Sequence, residues 1–378
     1  MANPSVEILS PGLLTTVQDL GRFGYQRYGI PVCGALDSVS LRIANILVGN
    51  RDHLAGLEIT AIGPTIRFTD NVTIAIVGAD LEPTLGGNPM PTWESVYAEA
   101  GSILNFGMPR DGLRAYLAVA GGIEAPLVMK SRSTDLKGGF GGFAGRALAA
   151  GDVLAIGDSP NRGVASSRGL PPEISRQTTY GQYFDIRVVL GPQDDAFTKE
   201  GIYTLLNSEY TVSNDADRTG YRLEGPTIEH VSGADIVSDG TALGSIQVPG
   251  GGTPIVLLAD RGTTGGYTKI ATVISPDIGL IAQAMPGATI RFAQVTVEEA
   301  HEILREQERM IVDIKAFVGL DLSGAFSLSA SGSDFTVLDS DGRIIASPGT
   351  YSTNRATRRV SAIAEGERFE FEIEVATP

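Results

Sequence analysis

The segment 244–267 carries the densest chemistry in the chain. An apolar run, Pro254-Ile-Val-Leu-Leu-Ala259, ends on a carboxylate, Asp260. Arg261, Thr263, Thr264 and Tyr267 follow in a glycine-rich turn, and Gln247 stands before the run in a second such turn. A buried strand that delivers polar groups into Gly-Gly turns presents them at the rim of a sheet or barrel, where backbone can approach a ligand closely. Three more clusters have the same make-up: Gln18-Asp19-Leu-Gly-Arg22 continuing Phe-Gly-Tyr25-Gln26, Ser131-Arg132-Ser-Thr-Asp135, and Ser213-Asn-Asp-Ala-Asp217-Arg218-Thr-Gly-Tyr-Arg222. Each pairs arginine with a carboxylate and hydroxyls beside glycine. Such sets suit the activation of an amide or urea-like group: arginine or backbone N–H groups stabilise oxyanion charge while a carboxylate holds the substrate N–H. The alternative for any one cluster is an arginine–carboxylate brace across a loop, and for Asp260 a capped hairpin turn.

Other chemistries lack their residues. The three histidines, His53, His230 and His301, have no metal-ligand spacing, and one cysteine, Cys33, allows neither an intrachain disulfide nor a structural zinc site. No metal site is therefore expected. Cys33 reads as a small buried residue rather than a nucleophile. No Gly-x-Ser-x-Gly elbow and no Gly-Lys pair occur, and the glycines of 138–145 have the wrong spacing for a dinucleotide fingerprint. Met129-Lys130 matches a biotin-attachment dipeptide, but its flanks do not, and self-biotinylation is not expected. A net charge of −15 disfavours nucleic acid and anionic membrane as partners. With no signal-peptide pattern, no membrane-spanning run and a single cysteine, the expectation is a soluble, cytoplasmic protein.

The elements that must position these clusters are mostly strands. Short alternating runs such as 65–68, 72–77, 114–119, 185–190 and 289–292 recur between Gly, Pro, Asn and Asp. Helices are few. Asp37 caps one ending at Gly49, 194–206 suggests a second and Ser275-Pro276 starts a third. Thr296-Val-Glu-Glu299 is a capping box opening a helix to residue 310. A faint repeat pairs Leu57-Glu58 and Gly63-Pro-Thr-Ile66 with Leu223-Glu224 and Gly225-Pro-Thr-Ile228. It divides the chain into two related β modules, 1–160 and 181–295, joined by a Ser/Pro/Gly/Arg-rich linker over 161–180. A small β appendage, 311–378, follows the helix.

The order of these segments resembles the biotin-dependent carboxyltransferase-like family. The resemblance rests on residues 11–25, Gly34-Ala-Leu-Asp37, Gly78-Ala-Asp80, 115–122, 131–135, 217–222 and 244–267. That family includes the C subunit of prokaryotic 5-oxoprolinase, second-subunit homologues of allophanate hydrolase and the carboxyltransferase domain of urea amidolyase. The resemblance implies a mainly β fold of two tandem cyclophilin-like barrel modules. It implies a component of an ATP-dependent lactam hydrolase, inactive alone. Its implied partners are a cyclophilin-like homologue of the 5-oxoprolinase B subunit and a third 5-oxoprolinase component, with ATP and magnesium as co-substrate. Two alternatives stay open. One is a carboxyltransferase component moving a carboxyl group from biotin to urea or a related amide. The other is a non-catalytic antagonist of a kinase-inhibiting homologue of the B subunit. The residue roles the resemblance suggests are Asp260 as orienter of a substrate N–H or as base, with Arg22, Arg132 and Arg218 binding phosphate or carboxylate. Asp19, Asp135, Asp217, Gln247, Thr263, Thr264 and Tyr267 complete the expected binding set.

Overall fold

The computed structural model describes residues 4–161, 163, 168–170, 174 and 179–319, and the backbone of strands between 327 and 376. Residues 1–320 form one compact unit and 321–378 another. The linker expected over 161–180 and the connections of the appendage lie largely outside the described residues. Within the second unit the strands Arg355–Ala364 and Glu367–Ala376 form an antiparallel hairpin, and Ser327–Ser331, Asp334–Leu338 and Ile344–Ala346 a three-stranded sheet.

The mainly β expectation holds. The first module builds two sheets. One, of six strands, runs Val153–Ala155, Ser5–Ser10, Thr65–Phe68, Ile103–Asn105, Thr84–Leu85 and Asn88–Pro89; the other, of five, runs Leu14–Gln18, Gly56–Thr60, Asp111–Val119, Val72–Asp80 and Ser95–Ala98. Val72–Asp80 reads as a nearly continuous apolar run because both of its faces are buried. Val72, Ile74 and Ile76 point into the core between the sheets. Ala75 and Val77 point the other way, into a layer made by Ile43, Ile46 and Leu47 of the helix Ser38–Leu47 and by Ile311 and Ile314 of the helix Val297–Phe317. Asp37 caps the first of these helices, accepting from Ser40 N at 3.0 Å. The capping box of Thr296 and Glu299 starts the second, which runs seven residues beyond the expected end at 310.

The second module closes into a seven-stranded barrel in the order Tyr183–Leu190, Lys269–Val273, Ser245–Gln247, Ile255–Leu257, Gly220–Glu224, Tyr210–Val212 and Thr289–Gln294. Phe184, Ile186, Tyr221, Ile246, Val256, Ile270 and Ile290 fill it. The third expected helix forms as a 3₁₀ turn, Ser275–Asp277, continuing into Ile278–Gln283. An arm of two strands, Asp235–Gly240 and Thr264–Tyr267, stands apart from the barrel ladder.

Candidate functional site

Two adjacent barrel strands set the first half of the site. Gly220–Glu224 pairs antiparallel with Ile255–Leu257, Gly220 opposite Leu257. Residues just outside that pairing therefore meet at one barrel end, and Asp260 N donates to Arg218 O at 3.0 Å. The Arg218 guanidinium grips Asp260 with two parallel bonds of 2.9 Å, from Nε and Nη2. Nη2 also donates to Gly34 O at 2.8 Å, and Nη1 to Glu58 Oε1, across the boundary into the first module. Four bonds thus occupy a group with five N–H donors. Asp217 spends its carboxylate on its own turn, accepting from Thr219 N at 2.7 Å and Gly220 N at 3.1 Å.

The first module supplies the other face. Glu58 lies opposite Tyr116 in the ladder between Gly56–Thr60 and Asp111–Val119. Its Oε2 accepts from Tyr116 Oη at 2.9 Å and from Leu36 N at 2.9 Å. Arg114, two residues earlier on the same strand face, lies 3.9 Å from Glu58 Oε1 and donates to Tyr221 Oη of the barrel at 2.6 Å. Gln283 joins the seam from the helix Ile278–Gln283. Its Oε1 accepts from Leu113 N and Arg114 N, while Nε2 donates to Asp37 Oδ2 at 2.8 Å. All these side chains are buried. Burial alone would raise the Glu58 carboxyl, but the Arg218 and Arg114 charges hold it below its ordinary value. Asp37 lacks such a cation, and burial raises it despite hydrogen bonds from Ser40 and Gln283.

Asp19 organises a second cluster just past the strand Leu14–Gln18. Its Oδ1 accepts from Gly21 N at 2.8 Å, Ser131 Oγ at 2.7 Å and Ser133 Oγ at 2.5 Å, and its Oδ2 from Arg132 N at 2.6 Å. The Arg132 side chain turns elsewhere, to Ala125 O at 2.5 Å and Glu124 at 2.9 Å. Asp135 Oδ1 accepts from Gly138 N at 2.7 Å and so shapes the glycine loop that follows. Beneath that loop Arg22 is fully buried, 4.9 Å from the Phe140 ring centre. It donates through Nη2 to Ser133 O, while Nε and Nη1 have no partner among the described residues. Gly141 lies against it at a φ of +70°; a Cβ there would come 2.6 Å from Arg22 Nη2. Other side chains cannot take this place.

The two clusters meet at Cys33. Its amide donates to Ala259 O at 3.2 Å, and its thiol feels Asp260 and Arg218 from one side of the site and Asp135 and Arg22 from the other. Burial pushes the thiol well up, with Asp260 and Asp135 adding to the effect, so it is a neutral packing group. Gln247 is also buried, and its Nε2 has no partner. Thr264 and Tyr267 sit on the projecting arm, Thr264 exposed and Tyr267 41% exposed; Thr263 O accepts from Thr241 N at the arm's base. Asp260, Arg218 and Arg22 are thus brought around one centre, whereas Arg132, Asp217 and the arm residues are directed to their own loops. Sequence reasoning missed Glu58, Arg114, Tyr116 and Gln283. The signal for the first three was a charged or phenolic group at alternate positions of strands otherwise apolar on both faces. Among the described residues no group of three or more His, Cys, Asp or Glu could hold a metal ion, and no helix is long and apolar enough to cross a membrane.

Comparison with known proteins supplies the context of this centre. The family model described as carboxyltransferase domain, subdomain A and B, matches residues 28–294. The 5-oxoprolinase C subunit of Escherichia coli is 40% identical over 304 residues, 80% of this chain and 96% of that protein. Its Haemophilus influenzae counterpart is 36% identical over 83% of this chain and 98% of its own length. Urea amidolyase of Saccharomyces cerevisiae is 32% identical over 86% of this chain, which matches 18% of that longer protein. Among solved structures, Kluyveromyces lactis urea carboxylase superposes with a TM-score of 0.76 at 30% identity, over 90% of this chain and 33% of its own. TTHA0988 superposes with a TM-score of 0.70 at 36% identity, over 78% of this chain and 56% of its own.

Proposed function

Because the chain belongs to the family of carboxyltransferase domains, subdomains A and B, we propose that it is the C subunit of an ATP-dependent 5-oxoprolinase. It acts in the cytoplasm with a cyclophilin-like homologue of the B subunit and a third component. Together they activate the lactam of 5-oxoproline for hydrolysis to glutamate. The observation that carries this reading is the match to proteins named as 5-oxoprolinase C subunits, which spans 96% and 98% of their lengths. A lactam is a cyclic amide, and opening it requires charge stabilisation at the carbonyl oxygen and an acceptor for the N–H. Asp260 is the acceptor: each of its oxygens holds one Arg218 donor and retains a second lone pair. Arg218 fixes the carboxylate in place rather than binding an anion itself. Arg22 is the cation with donors to spare, and it receives an anionic group of the substrate when the 138–145 loop moves aside. ATP and its magnesium enter as co-substrates of the assembled complex.

Phosphate release from ATP, measured for the chain assembled with its partner subunits, tests the proposal. Stimulation by 5-oxoproline is expected, and Asp260→Asn is expected to abolish it with the complex intact. No stimulation from a properly assembled complex overturns the reading. The superposition on Kluyveromyces lactis urea carboxylase favours a second reading, in which the same centre moves a carboxyl group from biotin to urea or a related amide. Retention of the chain on a biotinylated carrier protein tests that one.

A further inference from the structure

A cleft of about 620 Å³ opens in the first module, where the buried strand Val72–Asp80 ends. It is outside the Cys33 centre: none of the residues around that thiol lines it. Its polar lining comes from Asp80, Glu82, Thr84, Thr92 and Arg110, over apolar walls that include Met90 and Phe106.

This lining carries both signs of charge, and the two are not joined. Glu82 and Arg110 both reach solvent, and neither side chain has an ion pair or hydrogen bond among the described residues. Charged groups facing one cleft at more than pairing distance leave room for a molecule carrying both complementary charges. The acidic end is built rather than incidental. Asp80 Oδ1 accepts from Glu82 N at 2.9 Å, which fixes the Glu82 backbone at a φ of +48°, rare for a side chain of this kind. Gly107 then leaves the space the Glu82 carboxylate occupies: a Cβ on Gly107 would come 2.9 Å from Glu82 Oε2. Asp80 has a second oxygen that also remains available for an ammonium group. Arg110, whose amide donates to Asp80 O at 2.8 Å, brings its guanidinium to the same cleft, a planar fork suited to a carboxylate. Met90 and Phe106 in the same lining supply apolar surface for an aliphatic side chain.

We propose that this cleft binds a free α-amino acid as its zwitterion, with the ammonium at Glu82 and Asp80 and the carboxylate at Arg110. The proposal does not rest on the 5-oxoprolinase reading, and the experiment separates the two. Isothermal titration of the full chain with L-leucine, L-proline and 5-oxoproline reads the site directly. 5-Oxoproline retains the carboxylate and lacks the ammonium, so it serves as the internal control. Saturable binding of L-leucine or L-proline is expected, with 5-oxoproline neither occupying the cleft nor displacing them. Glu82→Gln and Arg110→Ala are each expected to weaken binding by about tenfold or more, the size of one lost charge-assisted hydrogen bond. Both residues are exposed, so the variants should fold; circular dichroism confirms it. No binding of either amino acid, or binding unchanged by both substitutions, overturns the proposal, as does equal binding of 5-oxoproline at this cleft.

Discussion

Replacing Glu58 by glutamine removes one charge from the seam between the modules and almost no volume. In the native protein the carboxylate accepts from Arg218 Nη1, Tyr116 Oη and Leu36 N, and lies 3.9 Å from Arg114. Arg218 and Leu36 N can only donate there and the Tyr116 oxygen already accepts from Asp37 N, so the amide NH₂ of glutamine cannot replace the carboxylate's bonds and two buried guanidinium groups lose their shared counter-charge. Breaking a buried ion pair from one side costs about 3–5 kcal/mol. For a chain of this size that corresponds to a Tm roughly 4–6 °C lower. Calorimetry of the purified chain reads this directly, and its pH dependence supplies the sign. The folded Glu58 carboxyl lies below its ordinary value of 4.5, so its contribution is present above that pH and is lost as pH falls through the folded value. The gap between wild type and Glu58→Gln should therefore be full at pH 7 and narrow below about pH 4.5. Replacing Glu58, Arg218 and Asp260 together by Leu, Met and Leu should recover part of the loss, because no buried charge of that trio is then left unpaired. A loss below about 1 kcal/mol at pH 7, or a gap that does not narrow in acid, refutes the reasoning.

Gly141→Ala puts a methyl group against Ser133 O and Arg22 at a φ of +70°; a destabilisation of about 1–3 kcal/mol is expected in urea titrations. Arg22→Met should leave the isolated chain as stable as wild type or more so, since it removes a buried charge with two unpartnered nitrogens, yet abolish 5-oxoproline-stimulated turnover of the assembled complex. Cys33 should resist a disulfide reagent at pH 8 in the native chain and react fully in denaturant, because its thiol is buried and its ionisation is suppressed.

Strand content, the capping box and the polar clusters were legible in the sequence because each rests on local signals: alternation, turn residues and arginine–carboxylate spacing. The Asp37 cap and the Thr296–Glu299 box form where their residue types place them. The helix after Thr296 outruns what its spacing predicts. Its last turns are held by Ile311 and Ile314 packing on a sheet from the first module, a contact that leaves no trace in local spacing. The same holds for the site. Asp260 and Arg218 were recognisable as candidates, but their pairing comes from the register of two strands some 40 residues apart in sequence. Glu58, Arg114 and Gln283 act across the boundary between modules, and only three-dimensional packing brings them to Arg218 and Asp37. Arg22 carried the opposite lesson: its residue type suggested an anion site, while its two unpartnered nitrogens became visible only with its surroundings in place.

The Arg218 fork has a mechanical consequence. It points in three directions at once, to Asp260 within the barrel and to Glu58 and Gly34 outside it. Hydrogen bonds are lost once donor and acceptor move apart by about an ångström, so a swing of one module against the other that displaces Arg218 by that much would break several of them together. The junction behaves as a locked joint rather than a hinge. Access to the chemistry around Cys33 must then come from small pieces of backbone bending in place, foremost the 138–145 loop, where Gly139, Gly141, Gly142 and Gly145 all sit at positive φ.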